Sequence, residues 1–170
     1  MQLRRPELSD KAAVIDMMKE FEASQSAHDG GFWSVDNFVY EDWIERNQLS
    51  EMGIDVPSTF VPAIQFVSFD DNGRALGFLH LRLRLNDNLL NKGGHIGYSI
   101  RLSERHKGLA KEQLHLGLLE AKKKNIKQAL VTCHTDNIAS RKVILANGGV
   151  LEDVRESTER YWINLDLDEE

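Results

Sequence analysis

Hydrophobic positions along this chain change their spacing from segment to segment, and the changes predict alternating strands and helices. LRRPELSDKAAVIDMMKEFE (residues 3–22) reads as a short strand followed by a helix capped at Ser9 or Asp10, with Val14, Met17, Met18 and Phe21 at helical spacing. SQSAHDGGFWS (24–34) reads as a loop, and DNFVYEDWIERNQLSE (36–51) as a second helix burying Phe38, Trp43 and Ile44. AIQFVSFD is a strand, and Asp70-Asp71-Asn72-Gly73 is a hairpin turn. ALGFLHLRLRLN then alternates strictly: Leu79, Leu81, Leu83 and Leu85 face one way, His80, Arg82 and Arg84 the other. NDNLLNKGG is a loop, HIGYSIRL (95–102) a strand, 108–124 a helix, 128–135 a strand and 137–147 a helix ending at Gly148. GVLEDVREST and RYWINLDL finish as paired strands. This order predicts an α/β fold: a mixed, mostly antiparallel central sheet with helices on both faces.

The 170 residues are 41% hydrophobic, enough for one domain with its own core, and a single domain over 1–170 is the expectation. The formal charge of −6 argues against nucleic acid as a partner. The acid is uneven, with much of it in the final LDLDEE, and Lys107–Lys127 holds six lysines against Glu112 and Glu120. A single cysteine, Cys133, excludes an internal disulfide and fits a reducing compartment. MQLRRPELSDK lacks the apolar core of a signal peptide, and no run is long enough to span a bilayer, so a cytoplasmic protein without membrane attachment is expected. Composition leaves a homodimer open.

One stretch carries chemistry. Arg105-His106-Lys107-Gly108-Leu109-Ala110 lies between the strand HIGYSIRL and the helix GLAKEQLHLGLLEAKKK. The first turn of a helix has N–H groups without internal partners, and the helix dipole adds partial positive charge there. Gly108 allows close approach to the backbone, and Arg105, His106 and Lys107 add cationic donors. Together they predict a site for a pyrophosphate-bearing cofactor. No HExxH, CxxC or clustered ligand spacing points to a metal, and no Walker loop or GxGxxG is present.

With the strand QALVTCHTD next, and Asn137-Ile138-Ala139-Ser140 opening another helix, the chain resembles the GCN5-related N-acetyltransferase family. The resemblance covers roughly residues 60–165 well and the N-terminal part in outline, and its strand and helix order is that of the acyl-CoA N-acyltransferase fold. It implies acetyl-CoA as co-substrate and an amine, small-molecule or peptide, as acceptor. In the family an Arg/Gln-x-x-Gly-x-Gly/Ala turn holds the pyrophosphate, which here implicates Arg105 through Ala110. The Asn after the next strand contacts the pantetheine, which implicates Asn137 and, beside it, Ser140. The strand before the turn splays from its neighbour and pairs with the pantetheine, which implicates the backbone of Ile100, Arg101 and Leu102. The family's usual general-acid Tyr falls on Ile144, so the chain departs from the pattern there.

The residues leave several roles open. His95 has a suitable intrinsic pKa for a general base but could equally be a strand-end His bonded to backbone. Tyr98 could supply the missing hydroxyl or pack in the core beside Ile96 and Ile100. Cys133 reads as a buried cysteine rather than a nucleophile, since strand neighbours such as His134 face the opposite side. His80, Arg82 and Arg84 either line the acceptor site and favour an acidic acceptor or form a solvated strand face. The function expected is acetyl transfer to a primary amine by direct attack on the thioester. The alternatives are a non-catalytic acyl-CoA-binding or regulatory module on the same fold, and a phosphate-binding domain unrelated to CoA.

Overall fold

The computed structural model describes residues 1–34 and 36–166. Val35, between the loop expected over 24–34 and the helix expected over 36–51, and residues 167–170 of the acidic end lie outside the described residues. Seven strands and five helices follow in the order β1 (Gln2–Arg4), α1 (Lys11–Ala23), α2 (Tyr40–Glu51), β2 (Ala63–Phe69), β3 (Ala75–Arg82), α3 (Asp87–Asn91), β4 (Ile96–Ile100), α4 (Leu109–Lys123), β5 (Gln128–His134), α5 (Ile138–Ala146), β6 (Val150–Arg155) and β7 (Thr158–Asn164).

Local chemistry sets most of the boundaries. Glu7 and Asp10 form a capping box around a turn of 3-10 helix, so α1 starts at Lys11, just past the expected caps. The turn after β2 is held by Asp70 Oδ1, which accepts from the N–H groups of Asn72 and Arg74, both at 2.9 Å. Glu156 and Ser157 both have positive φ, 47° and 67°, the two-residue turn that suits the twist of the β6–β7 hairpin. Three elements differ from the sequence reading: NDNLLNKGG contains the short helix α3, because Asn86 caps it by accepting from Leu89 N–H at 2.9 Å; α2 starts at Tyr40 rather than Asp36; and β3 stops at Arg82, so Leu83, Arg84 and Leu85 lie past the strand.

The strands form two antiparallel ladders, β1-β2-β3-β4 and β5-β7-β6. Helices cover both faces, and β2 and β3 feed alternate residues into two cores. Ile64, Phe66, Leu79 and Leu81 pack with Leu114 and Leu118 of α4 and Ile144 of α5. Val67, Phe69 and Phe78 pack with Val14, Met17 and Phe21 of α1 and Tyr40 and Trp43 of α2. Both faces of the central strands are therefore covered, which is why the polar side of β3 is not a solvated face: His80 and Arg82 are half-buried.

The two ladders meet at one point. His95 N–H donates to Leu130 C=O at 2.7 Å, and Leu130 N–H donates to His95 Nδ1 at 2.9 Å. Gly93 N–H reaches Thr132 Oγ1 at 3.0 Å. Among the described residues no backbone hydrogen bond joins Ile96–Ile100 to β5, so β4 and β5 separate beyond this stitch.

Candidate functional site

The opening between β4 and β5 exposes a defined set of backbone groups. β4 is bonded to β3 through Arg82 N–H to His95 C=O at 2.7 Å and Arg101 N–H to Leu76 C=O at 2.9 Å. Antiparallel pairing alternates, so residues 95, 97, 99 and 101 direct their peptide groups at β3. Tyr98 and Ile100 direct theirs at the opening, where the Ile100 C=O already accepts from Arg105 Nε. Of the expected backbone contacts, the Ile100 N–H thus faces the gap and the Arg101 N–H does not, while Leu102 lies past the strand in a 3-10 turn. The Arg101 side chain is also committed: its guanidinium is buried, bonds Asp16 at 2.8 Å, Glu20 at 3.0 Å and Ala75 C=O at 3.0 Å, and pins the end of β4 to α1. Burial pushes Glu20 up, but hydrogen bonds from Arg101 and Ser103 outweigh it and hold the carboxyl down at about 2.

Beyond β4 the chain makes one 3-10 turn and enters α4. His106 and Gly108 take left-handed conformations, φ 64° and 78°. From His106 to Lys111, no backbone N–H donates to an acceptor among the described residues. A Cβ built on Gly108 would meet nothing within 4 Å, so open space lies against the backbone where these donors converge. Successive free N–H groups in a turn, joined to a helix N-terminus, make an anion-binding concavity. His106, Lys107, Gly108, Leu109 and Ala110 contribute through their backbone. The Lys107 ammonium is held by Glu104 at 3.0 Å.

Arg105 differs from its expected role. Its Nε donates to Ile100 C=O at 2.8 Å and its Nη2 to Ser26 Oγ at 2.6 Å. The side chain folds back and fixes the turn to the end of β4, so the open donors of the turn are those of the backbone.

His95 is corrected as a general base. It is 7% exposed, and its Nδ1 accepts the Leu130 N–H, so the neutral ring carries its proton on Nε2. No lone pair is left for an amine. Burial, then the field of Arg82, push its pKa down to about 4. The residue is the stitch that sets where β4 and β5 begin to part.

Tyr98 and Ser140 come together instead. The Tyr98 hydroxyl lies 2.8 Å from Ser140 Oγ, linking β4 to the first turn of α5. Burial pushes the phenol up to about 12, so it stays protonated near neutrality. Asn137 caps α5, its Oδ1 accepting from Ser140 N–H at 3.0 Å. Ile144 is fully buried in the core, as a packing residue. Cys133 is buried, and Glu159 accepts from its thiol at 3.5 Å. Among the described residues no group of three His, Cys, Asp or Glu is placed to hold a metal, and no helix is long and apolar enough to cross a membrane.

The opposite face of β4 is covered by the α1–α2 loop. Gly30, in the α1–α2 loop, lies against Gly97: a Cβ on Gly97 would be 3.3 Å from Gly30 N and 3.1 Å from both terminal nitrogens of Arg82. Gln65 holds that loop by donating to Gly30 C=O at 2.7 Å. A loop contact of this kind leaves no local spacing signal.

The chain matches the family described as Acetyltransferase (GNAT) domain over residues 1–150. No curated protein matches it by sequence. Among solved structures it resembles the ribosomal-protein-S5-alanine acetyltransferase of Vibrio fischeri, at 20% identity and TM-score 0.70, covering 99% of this chain and 95% of that one. It also resembles PaiA N-acetyltransferase of Thermoplasma acidophilum in complex with coenzyme A, at 19% identity and TM-score 0.58, covering 96% and 98%. The yncA protein of Salmonella typhimurium, solved with its cofactor acetyl-CoA, matches at 17% identity and TM-score 0.61, covering 97% and 94%.

Proposed function

Since the chain belongs to the GNAT acetyltransferase family, we propose that it moves the acetyl group of acetyl-CoA onto a primary amine by direct attack on the thioester. The observation that carries this reading is the run of unpartnered N–H groups from His106 to Lys111 at the end of an open β4 edge. From Tyr98 the open edge of β4 runs to Ile100, roughly 7 Å at 3.3 Å per residue, and one 3-10 turn then leads to the His106–Lys111 run.

Acetyl-CoA supplies the activated acetyl carbon and a thiolate leaving group. The His106–Lys111 backbone holds the pyrophosphate, and the peptide groups of Tyr98 with the N–H of Ile100 meet the amides of the pantetheine in the manner of an added strand. The free side-chain nitrogen of Asn137 faces the same arm, and Ser140 keeps Tyr98 in place. The attacking nitrogen forms the new N–C bond and gives up a proton to solvent while the C–S bond breaks. Ser140 O–H can donate to the Tyr98 oxygen, which frees the phenol proton for the leaving sulfur, and the phenolate regains a proton from solvent. Tyr98 thereby takes on the task that Ile144 cannot perform.

Release of CoA thiol on a panel of amines tests the reading, with calorimetry of CoA alongside. Tyr98→Phe is expected to keep CoA affinity and lower kcat about 10²-fold. CoA binding without turnover on any amine would leave a non-catalytic CoA-binding module, the reading that Ile144 favours. Full activity in Tyr98→Phe would remove Tyr98 from the mechanism.

A further inference from the structure

The arginines of this chain divide sharply by partner. Arg4 pairs with Asp10, Arg74 with Glu104, Arg101 with Glu20, Arg141 with Glu159 and Arg160 with Asp153. Arg5 and Arg155 also have carboxylates. Arg105 is held by a carbonyl and a hydroxyl, and Arg46 and Arg84 are exposed to water.

Arg82 stands apart. It is half-buried, has no carboxylate within 4 Å among the described residues, and makes one hydrogen bond, from Nη1 to Gly93 C=O at 3.2 Å. Burial pushes it down to about 10, so it remains a cation at neutral pH. Asp29 acts on it only at longer range. The remaining donors of Arg82 are not among the buried unpartnered side-chain atoms, so they open to solvent and can be met by a ligand's acceptors.

Its position says what such a ligand is near. The guanidinium lies against Gly97, midway along β4, on the face opposite the α4 side. Gly97 lies three residues, about 10 Å of strand at 3.3 Å per residue, before the end of β4, and the His106–Lys111 run begins only after the 3-10 turn beyond it, so Arg82 is placed along the strand and not at the turn. It sits where an acceptor must come to meet the acyl end of the cofactor. His80, beside Gly97 in the ladder, has an Nδ1 that is buried without a partner. Burial and Arg82 keep that imidazole neutral, so the anion would meet one charge and adjacent polar groups. A planar guanidinium fork matches a carboxylate in two parallel hydrogen bonds.

We infer that the acceptor is an amine carrying a carboxylate a few bonds from the nitrogen, and that Arg82 binds this carboxylate and so aims the amine at the thioester. The inference rests on the acetyltransferase reading above. The carboxylate belongs to a free amino acid or to the first residues of an acidic peptide, and the shared chemistry is the anion beside the amine.

The test is CoA release from acetyl-CoA with matched pairs of acceptors. Free amino acids are compared with their carboxamides, and peptides beginning Asp or Glu with those beginning Asn or Gln. Phosphoethanolamine against ethanolamine tests whether another anion serves. Wild type is expected to favour the carboxylated member by about 10–100-fold in kcat/KM, the range for a charge-assisted pair. Arg82→Gln is expected to erase that preference with CoA affinity unchanged, and Arg82→Lys to retain part of it. Preference in the free amino acids alone, or in the peptides alone, identifies the source and supports the inference. Equal use of both members of every pair, a preference for phosphate alone, or a preference that survives in folded Arg82→Gln would overturn it. Failure of CoA to bind wild type, or absence of turnover on every amine, would instead overturn the underlying acetyltransferase reading and this inference with it.

Discussion

The two faces that meet at β4 are built from different material. The side proposed for the cofactor is made of backbone: N–H groups of Ile100 and of His106 through Lys111, with side chains such as Arg101 and Arg105 turned inward to hold the frame. The opposite side is made of side chains: Arg82, His80 and Gln65, closed by the Gly30 loop. A backbone-built site tolerates many sequences and is damaged only where conformation changes. A side-chain-built site depends on each group separately. Cofactor binding and acceptor choice should therefore respond to different kinds of substitution.

The largest expected effect follows from that division. Gly108 is left-handed and faces open space, so Gly108→Glu adds backbone strain of about 1–2 kcal/mol and puts a negative charge where anions are expected. CoA affinity measured by calorimetry should fall about 100-fold or more, with the fold intact by circular dichroism. Unchanged affinity in the folded variant would show that this backbone does not bind the phosphates.

Next in size is the frame. Arg101→Ala removes the cation that Asp16 and Glu20 share and leaves the end of β4 unanchored. Denaturant melts should show a loss of about 2–3 kcal/mol, at or just below the range of about 3–5 for a broken buried pair, because both acids keep contact with water. The same clamp weakens in acid. Glu20 has a folded pKa held below its unfolded value, so its contribution is complete above about 4.5 and is lost as pH falls toward about 2. A variant with wild-type stability would mean that the clamp is dispensable. A variant that is less stable but binds CoA normally would mean that the concavity does not need it.

The same division explains what the sequence could reveal. The strand, turn and helix around Gly108 were legible because local spacing and one glycine define them. So were the hairpin at Asp70–Gly73 and the cap at Asn137, whose partners lie within four residues. The duties of Arg101, Arg105 and His95 were not, since their partners Glu20, Ser26 and Leu130 lie 81, 79 and 35 positions away. Alternation assigns a side chain to a face and carries no information about what waits there. The same limit hid the polar face of β3, where helical cover turned an apparently solvated stripe into a half-buried one. Tyr98 and Ser140 could each be picked out from the motif, but their contact depends on how α5 docks over the opening.

The smallest effect is expected at His95, and it separates the stitch from the chemistry. His95→Asn places an amide oxygen near the position of Nδ1, where it can still accept the Leu130 N–H, and removes the titrating ring. If His95 only joins β4 to β5, kcat/KM between pH 6 and 8 should stay within a few-fold of wild type and keep its shape. Stability should respond instead. The folded pKa is about 4, below the unfolded value of about 6.5, so the neutral ring's contribution is complete above that value and is lost as pH falls through the window between them. His95→Asn should flatten this limb of a melting temperature against pH profile. It should not abolish it, because His80, pushed down to about 3 by burial and Arg82, titrates in the same direction. A large loss of kcat/KM in His95→Asn, with CoA affinity intact and the acid limb of stability unchanged, would return His95 to the proton-transfer machinery.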